Sequence, residues 1–466
     1  MSLHCGFIVE VKDLKKHPNA DKLQIATFFG EDVIVGLDTH LGDIGIYFPC
    51  DIQLSPDYCE FNHLCRKKID GTPDTGYMDP DKRNVTAIKL RGEKSYGIYA
   101  PLNSLDYLKI NLSKLKIGDT ITTLDGHEIC KKYIPRNQKK NVGNINKKTK
   151  LKKKKIEIAP LLAEHADTEQ LAYNLNAFKP GDEIEITLKM HGTSGRTAYV
   201  PVAKELKGNN ILAKIGLKIN PYQKLGKIRT WLYQYGQEHF KAQYGYDYIS
   251  GTRRTVLENF DGGFYGSNEF RKPFHDLLDG KLLKGMEIYY EIVGFTTNGT
   301  PIMSVADNKK MKDKEFIKIY GPTTTFSYGC LPQGEPQSEI YVYRMTVTNE
   351  DGDLFDLSPD YMRKYCEKFN LKTVPLLWKG TIPSQEELGD KTAGEWVKEL
   401  AEQFYDGTDP VGIVHIREGV VVRILNREKF TAFKHKNFSF KVLEGIMKAS
   451  AEAPDLEEME DLIENN

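Results

Sequence analysis

A lysine at the end of an alternating sequence pattern is the first residue here that could do chemistry. Ile184, Ile186 and Leu188 alternate with polar residues and predict a strand that ends at Lys189. The turn and hydroxyl residues His191-Gly192-Thr193-Ser194 follow it. Such a lysine can act as a nucleophile if nearby positive charge or desolvation lowers its pKa. Taken alone, the segment is equally typical of a solvated lysine at a strand end.

Two further segments carry charged candidates. Arg253 and Arg254 follow Gly251, and paired arginines can hold phosphate oxygens bidentately, although surface arginines give the same pattern. Glu291 lies in a predicted strand directly before Ile292 and Val293. An acid in apolar surroundings can orient a ligand hydroxyl or a metal hydrate. The alternative is an edge-strand glutamate that faces water.

Tyr341 and Tyr343 are two residues apart, so a regular strand would place both on one face. An aromatic ring there could stack on a purine, and it could equally fill a core. Lys434 and Lys436 have the same spacing, which two cations need in order to converge on one phosphate. If they lie near Lys189, their charge would lower its pKa. A surface strand with two lysines is the alternative.

Read together, these segments resemble the motifs of the covalent nucleotidyltransferases, the superfamily of polynucleotide ligases and mRNA capping enzymes. Lys189-Met190-His191-Gly192 is similar to their nucleophile motif, Lys-x-Asp-Gly, with a histidine in place of the aspartate. The other motifs match in order at Arg253, Glu291, Tyr343, Glu418-Gly419 and Lys434-x-Lys436. Six matches in one order are more specific than any single one.

The position of the barrel-like part narrows this resemblance. DNA ligases and capping enzymes of this superfamily carry an OB domain after the two-lysine motif, but only 30 residues follow Lys436. The turn-and-strand segment His17–Ala26 instead resembles the start of an OB-type barrel, a fold that offers a groove for oligonucleotides. This order resembles the RNA ligase 5 family. The segment between Arg196 and Ser250 is longer than we expect for that family and could hold a helical insert.

The resemblance implies a role for each candidate residue. The catalytic set is Lys189, Lys434, Lys436, Glu418 and Glu291. Nucleotide binding is assigned to His191, Gly192, Arg253, Tyr343 and Tyr341, with Tyr343 stacking on adenine and Tyr341 as the alternative for that role. The implied cofactors are ATP and Mg²⁺ or Mn²⁺, with Glu291 and Glu418 holding the metal through water. Because His191 replaces an aspartate, the metal arrangement at that corner is open.

The predicted fold is α+β, with an N-terminal OB-type β-barrel followed by a mixed α/β nucleotidyltransferase domain. Residues 1–130 would form the nucleic-acid-binding module and 131–155 a lysine-rich linker that could also attract phosphates. Residues 156–450 would form the ligase domain and 451–466 an acidic tail.

Composition places few limits on the function. Net charge is zero, so bulk charge does not indicate a nucleic-acid partner. We expect no membrane span and no secretory signal, because no long apolar segment or basic leader is visible. The seven cysteines are an odd number, typical of reduced thiols, and we expect a cytoplasmic monomer. Cys59, His63 and Cys65 lack a fourth ligand at zinc-like spacing.

The sequence therefore predicts an ATP-dependent RNA ligase that joins 3′-hydroxyl and 5′-phosphate ends through a lysyl-AMP and an adenylylated RNA end. Its partners would be ATP and nicked or broken RNA. An mRNA capping guanylyltransferase and a DNA ligase remain alternatives, as does a non-enzymatic tRNA- or RNA-binding protein.

Overall fold

The computed structural model describes residues 4–133, 157–220, 226–262 and 267–449. The predicted lysine-rich linker beyond residue 133 and the predicted acidic tail, 451–466, lie outside the described residues. The chain has a mixed α/β fold. Its strands in chain order are β1 (Gly6–Glu10), β2 (Leu14–Lys16), β3 (Leu23–Phe28), β4 (Glu31–Gly36), β5 (Ile44–Phe48), β6 (Ile52–Leu54), β7 (Ile88–Leu90), β8 (Glu93–Ser95), β9 (Ile98–Pro101), β10 (Thr120–Ile121), β11 (Thr123–Leu124), β12 (His127–Glu128), β13 (Cys130–Lys132), β14 (Glu169–Gln170), β15 (Glu183–Lys189), β16 (Thr193–Gly208), β17 (Phe240–Gly251), β18 (Val256–Leu257), β19 (Met286–Gly294), β20 (Ala306–Asp307), β21 (Thr323–Thr324), β22 (Ser338–Thr348), β23 (Leu354–Asp356), β24 (Leu376–Thr381), β25 (Gly419–Ile424) and β26 (Thr431–Lys436).

Helices connect and cover these strands. The α-helices are α1 (Pro56–Phe61), α2 (Ile211–Leu217), α3 (Lys227–Glu238), α4 (Lys272–Leu278), α5 (Lys314–Tyr320), α6 (Pro359–Lys368), α7 (Gln385–Leu388), α8 (Ala393–Glu402) and α9 (Phe438–Ala449). Short 3-10 helices span Leu102–Leu108, Leu112–Lys114, Leu171–Tyr173, Leu175–Ala177, Glu269–Arg271 and Asn308–Met311. In the described part of the chain, no helix has the length and apolar content that crossing a membrane requires.

The N-terminal part is built almost entirely from strands, as the sequence predicts. Four strands pair in the order β10-β1-β5-β9 and three in the order β2-β3-β4. Strands β6 and β13 form a separate antiparallel pair. Two apolar clusters fill this part, one around Ile46 and Phe48 and the other around Val33 and Tyr47.

Two larger sheets form the rest of the described chain. One has the strand order β14-β26-β25-β15-β24, and the other has the order β18-β17-β16-β19-β22-β23. In the second sheet, β19 pairs on both sides and every one of its residues is buried. The largest apolar cluster lies here and includes Ile288, Ile292 and Val342.

Alternation along β15 separates its two faces. Ile184 and Ile186 are fully buried and pack with Val397 of α8, while Leu188 belongs to the larger central cluster. Glu185, Thr187 and Lys189 alternate with these apolar residues and point to the opposite side, as the period of a strand requires. Helix α8 begins with a capping box in which Thr392 and Glu395 satisfy each other's backbone N–H groups.

Helix α9 joins the N-terminal part to the second part. Its Lys441 pairs with Glu31 at 2.5 Å and lies over the ring of Tyr96 at 4.6 Å. Phe438, the first residue of the helix, makes an edge contact with the same tyrosine ring at 4.9 Å. The helix that follows β26 is therefore held by residues from the first hundred positions of the chain.

Glycine is required at position 419 because β25 and β26 approach closely there. A Cβ atom on Gly419 would lie 2.1 Å from the carbonyl oxygen of His435 and 2.7 Å from the Cα of Lys436. Both are backbone atoms in the paired strand, so a side chain at this position forces the strands apart.

We predict that Gly419→Ala lowers the free energy of unfolding by about 2 kcal/mol or more, the range typical of a backbone clash in a paired strand. Urea denaturation of both proteins measures the difference. Gly226→Ala is the matched control, because a Cβ there meets nothing within 4 Å. Equal stabilities of the two variants would contradict the clash.

Candidate active site

A cavity lies between the two large sheets and collects residues that are distant in sequence. Five of the predicted site residues line it: Lys189, Arg253, Glu291, Tyr343 and Lys434. Val421 and Ala432 add apolar surface from β25 and β26. The cavity is therefore cationic at several points, with a carboxylate and an aromatic ring on its other wall.

Lys189 and Lys436 meet on one buried carboxylate. The Lys189 Nζ atom lies 2.9 Å from Glu418 Oε1, and Lys436 Nζ lies 3.3 Å from the same oxygen. Lys436 also pairs with Glu444 of α9 at 2.8 Å. Burial acts to raise the pKa of Glu418, but Lys189, Lys436 and His191 outweigh it and hold that pKa below its usual range.

Strand register produces this meeting. Lys189 pairs with Gly419, and Gly419 pairs with Lys436, so the two lysines flank one glycine across three strands. Glu418 directly precedes that glycine. Lys434 lies two residues earlier, opposite Val421, and reaches the cavity itself. Lys189 therefore shares a carboxylate with Lys436 and a cavity with Lys434.

The turn after Lys189 is fixed by hydrogen bonds from its backbone. The Gly192 N–H donates to Glu291 Oε1 at 3.1 Å, and the His191 N–H donates to the Tyr328 hydroxyl at 2.6 Å. The His191 ring lies edge-on to Phe326 and Phe440. Glu291 is thus buried on a central strand and does not face water from a sheet edge.

Arg253 is positioned by an acid that sequence reasoning did not single out. Its Nε and Nη2 atoms donate to Asp167 Oδ1 at 3.0 and 2.6 Å. His165, two residues earlier, contacts the Tyr343 hydroxyl through Nε2 at 2.7 Å. Residues 165–168 therefore close the side of the cavity that holds Arg253 and Tyr343.

Tyr341 and Tyr343 do not share the cavity. Tyr290 pairs with Val342 and Tyr289 with Arg344, so Tyr343 is an extra residue in a bulge of β22. Tyr343 lines the cavity, whereas Tyr341 is buried in the central apolar cluster and is not among the lining residues. The bulge breaks the regular alternation on which a common face was predicted.

The match to known families covers most of this site. A family model described as RNA ligase matches residues 182–443, more than half of the chain. The chain belongs to the RNA ligase family. No curated protein matches this RNA ligase family member significantly in sequence.

Solved structures of a Naegleria gruberi RNA ligase are similar to this family member in fold. A mutant with AMP and Mn has a TM-score of 0.53 at 14% identity, covering 94% of this chain and 97% of that one. Another mutant, with ATP and Mn, gives 0.52 at 14% identity, covering 94% and 98%. The same enzyme with PPi gives 0.52 at 14% identity, covering 93% and 97%.

Two arginines at the cavity wall of this RNA ligase family chain, Arg344 and Arg423, were not predicted from the sequence. Arg344 donates to both carboxylate oxygens of Asp356 at 2.7 Å. Phe430 lies between two guanidinium groups, 4.4 Å from that of Arg344 and 4.9 Å from that of Arg423. Arg344 and Arg423 belong to segments that the motifs singled out, but their spacing alone gives no sign of a shared aromatic partner.

Arg271 supports the turn from behind, and no sequence signal indicated it. It is one of the largest fully buried side chains, and it donates to the Ser194 carbonyl at 2.7 Å and to the Thr193 hydroxyl at 2.9 Å. Its Nε donates to Asn268. The strand that leaves the Lys189 turn is thus held by a buried cation.

The carboxylates of the site suit a hydrated divalent cation. Within the described residues, no group of three His, Cys, Asp or Glu side chains could enclose a metal by itself. Glu418 Oε2 is buried and makes no hydrogen bond to a described residue. Mg²⁺ commonly uses one or two carboxylates with phosphate and water oxygens, and Glu418 and Glu291 fit that type of site.

A buried acid and a buried histidine lie next to Tyr328. The Asp409 N–H donates to the His415 carbonyl at 2.8 Å, and the His415 ring lies 4.5 Å from that of Tyr328. Asp409 Oδ2 and His415 Nε2 make no hydrogen bonds to described residues. Burial raises the pKa of Asp409 to about 7 and lowers the pKa of His415 to about 4. Burial therefore favours the uncharged forms of Asp409 and His415, which lie behind the turn that follows Lys189.

We predict that the unmodified protein loses stability as pH rises through neutrality and that Asp409→Asn loses less. A carboxyl whose folded pKa is raised stabilises the fold below its unfolded value and loses that contribution as pH rises through about 7. Between pH 5 and 8, the free energy of unfolding of the unmodified protein should fall relative to the variant by about 1 kcal/mol or more.

Urea unfolding at both pH values measures this difference. Asp390→Asn, at an exposed position, makes the same charge change and should follow the unmodified protein. Parallel pH profiles for Asp409→Asn and the unmodified protein would show that Asp409 is ionised in the fold at no cost.

Proposed function

We propose that this protein is an ATP-dependent RNA ligase that joins a 3′-hydroxyl to a 5′-phosphate through an adenylate on Lys189. The observation that carries the proposal is the shared carboxylate: Lys189 and Lys436 both contact Glu418, and Lys434 lines the same cavity as Lys189. Family membership supports RNA ligation. The similar Naegleria enzyme, solved with ATP or AMP and Mn, supports the choice of nucleotide and metal.

In the first step, the Lys189 amine attacks the α-phosphorus of ATP. A nitrogen–phosphorus bond forms, the bond to the bridging oxygen breaks, and pyrophosphate leaves. Lys434 and Lys436 would neutralise the α-phosphate, because phosphoryl transfer depends chiefly on positioning and on charge stabilisation. The lysyl nitrogen becomes an uncharged phosphoramidate.

The attacking amine must first give up a proton, after which Lys436 is the remaining ammonium group on Glu418 Oε1. Two ammonium groups lie on one carboxylate oxygen, and neighbouring like charges disfavour each other. Lys436 keeps a second partner in Glu444. When Lys189 becomes neutral, Lys436 therefore remains paired.

A divalent cation bound at this corner would neutralise phosphate charge and polarise the α-phosphate. Glu418 and Glu291 would hold it through water. Glu291 also accepts the Gly192 N–H, so the same carboxylate fixes the turn beside the nucleophile.

The adenine base would stack on Tyr343, and Val421 supplies apolar surface in the same cavity. The hydrogen bond between His165 Nε2 and the Tyr343 hydroxyl fixes that ring. Tyr341, the alternative for stacking, would need to leave the apolar cluster to reach a nucleotide. We therefore assign stacking to Tyr343.

In the second step, an oxygen of the RNA 5′-phosphate attacks the adenylate phosphorus, the nitrogen–phosphorus bond breaks and the Lys189 amine is released. In the third, the RNA 3′-hydroxyl oxygen attacks the activated 5′-phosphorus and AMP leaves. Arg253 would hold a sugar-phosphate group of the nucleotide or RNA end. Its pairing with Asp167 presents the guanidinium at the cavity wall.

Residues 1–130 would act as an OB-type module that holds RNA beside the break, followed by a lysine-rich linker at 131–155, a ligase domain at 156–450 and an acidic tail at 451–466. The N-terminal strands form sheets that are separate from the two large sheets of the later residues, which supports this division. The lysines of the linker would add affinity for phosphates. We propose a monomer.

Lys189→Ala should abolish transfer of label from α-labelled ATP to the protein, because no other amine occupies the nucleophile position. Incubation with a divalent cation followed by a denaturing gel measures it. Lys379→Ala removes an exposed lysine of the neighbouring strand β24 and should label normally. A labelled Lys189→Ala protein would exclude this nucleophile, and labelling by GTP in preference to ATP would favour a capping enzyme.

Glu291→Gln should raise the divalent cation concentration needed for half-maximal self-adenylylation by about tenfold, since it removes one of the two carboxylates assigned to the metal. The amide oxygen of the variant can still accept the Gly192 N–H, so the turn should be retained. Glu339→Gln, on the adjacent strand, is the control. An unchanged metal requirement with reduced labelling would assign Glu291 to the turn alone.

A further inference from the structure

A helical hairpin extends from the two longest strands of the site sheet. Strands β16 and β17 pair antiparallel from Arg196 and Gly251 to Gly208 and Phe240, and α2 and α3 lie between them in sequence. The two helices pack closely, since a Cβ on Gly216 would lie 2.0 Å from the carbonyl oxygen of Leu232. We call α2 and α3, with the strand ends that carry them, the arm.

The arm is strongly basic in a chain with no net charge. Residues 204–244 contain eight Lys or Arg and two Asp or Glu, whereas the whole chain balances at zero. Lys214, Lys218 and Lys227 are exposed. Among the described residues, no carboxylate pairs with any of these three lysines, so their charge is available to a ligand.

Aromatic and apolar side chains accompany these lysines. Trp231 is half exposed, and its ring lies 5.4 Å from that of Tyr235. The Tyr235 ring in turn stacks at 4.0 Å on that of His239, the residue after α3. Ile211 and Ile228 are three-quarters exposed. Basic side chains with interleaved aromatic groups suit nucleic acid, and duplex RNA is recognised mostly by its shape and by contacts to its 2′-hydroxyls and phosphates.

The strands connect this surface to the cavity. Ser194 lines the cavity, and Gly208 at the foot of the arm is 14 residues further along β16, a path of roughly 46 Å at strand geometry. This path is similar in length to the roughly 16 base pairs of duplex RNA that a double-stranded RNA-binding domain covers.

We propose that the arm binds the phosphate backbone of duplex RNA on the order of 16 base pairs from the break that is sealed in the cavity. This inference rests on the proposed function, and it adds a partner surface that the ligase chemistry itself does not need. The positive charge and the direct strand connection to the site favour RNA over a lipid surface, which would need no such connection.

The test compares nicked RNA duplexes of two lengths, with about 8 or about 24 base pairs on each side of the nick, so that only the longer one reaches the arm. The arm variant is Lys214→Gln, Lys218→Gln and Lys227→Gln together. Its matched control is Lys309→Gln, Lys318→Gln and Lys364→Gln, three exposed lysines elsewhere that carry the same charge change.

We expect the arm variant to raise the Kd for the long duplex about tenfold or more and to lower its salt dependence by roughly 2 to 3 in log–log slope, as the loss of three phosphate contacts requires. The short duplex and self-adenylylation should be unaffected, and the control variant should bind both duplexes normally. Quenching of Trp231 fluorescence by the long duplex, absent in Trp231→Phe, would support the same contact.

Equal effects on the two lengths, or the same loss in the control variant, would overturn the inference. So would an unchanged Kd in an arm variant that no longer binds vesicles containing phosphatidylserine, because the arm would then be a lipid-binding surface. Absence of self-adenylylation in the unmodified protein would instead contradict the proposed ligase function, so the two failures are distinguishable.

Discussion

The site depends on one buried carboxylate that is shared by two lysines. A buried Glu418 without partners would be costly, and Lys189 and Lys436 supply the opposite charge that makes it tolerable. Glu444 adds a second carboxylate on Lys436, so the four groups balance in charge. In the proposed mechanism Lys189 would lose its positive charge, and two carboxylates would then face one ammonium. That excess of negative charge would favour binding of a cation beside the nucleotide.

The backbone makes this sharing possible. Side chains alternate with a period of two along a strand, so a one-residue slip of β25 against β15 would turn Lys189 and its partners to opposite faces. Gly419 lies between the two lysines in register, and its missing side chain allows the strands to approach. Helix α9 carries Glu444 and is anchored through Lys441 to Glu31. Glu31, near the N-terminus, therefore helps to hold the helix whose Glu444 pairs with Lys436.

Much of the site could be predicted because its motifs are short segments whose strand periods set the directions of their side chains. The strand spacing placed Lys434 and Lys436 on one face, and the structure has Lys434 lining the cavity of Lys189 and Lys436 sharing Glu418 with it. The common face of Tyr341 and Tyr343 was predicted from alternation and fails at a bulge, which depends on how β19 and β22 pair. Asp167 and Arg271 had no signal, because their roles come from contacts across 86 and 77 positions of sequence. The OB type of the N-terminal module and the domain boundaries remain predictions.

The histidine of the nucleophile motif is consistent with its surroundings. His191 Nδ1 lies 3.6 Å from Glu418 Oε2, and its ring lies between Phe326 and Phe440. An aspartate at this position would place a second carboxylate beside Glu418 in apolar aromatic surroundings, where like charges repel and desolvation is costly. An imidazole avoids that repulsion and contributes to holding the pKa of Glu418 low. The histidine thus removes one potential metal-hydrate ligand and avoids a second negative charge beside the carboxylate that pairs with Lys189.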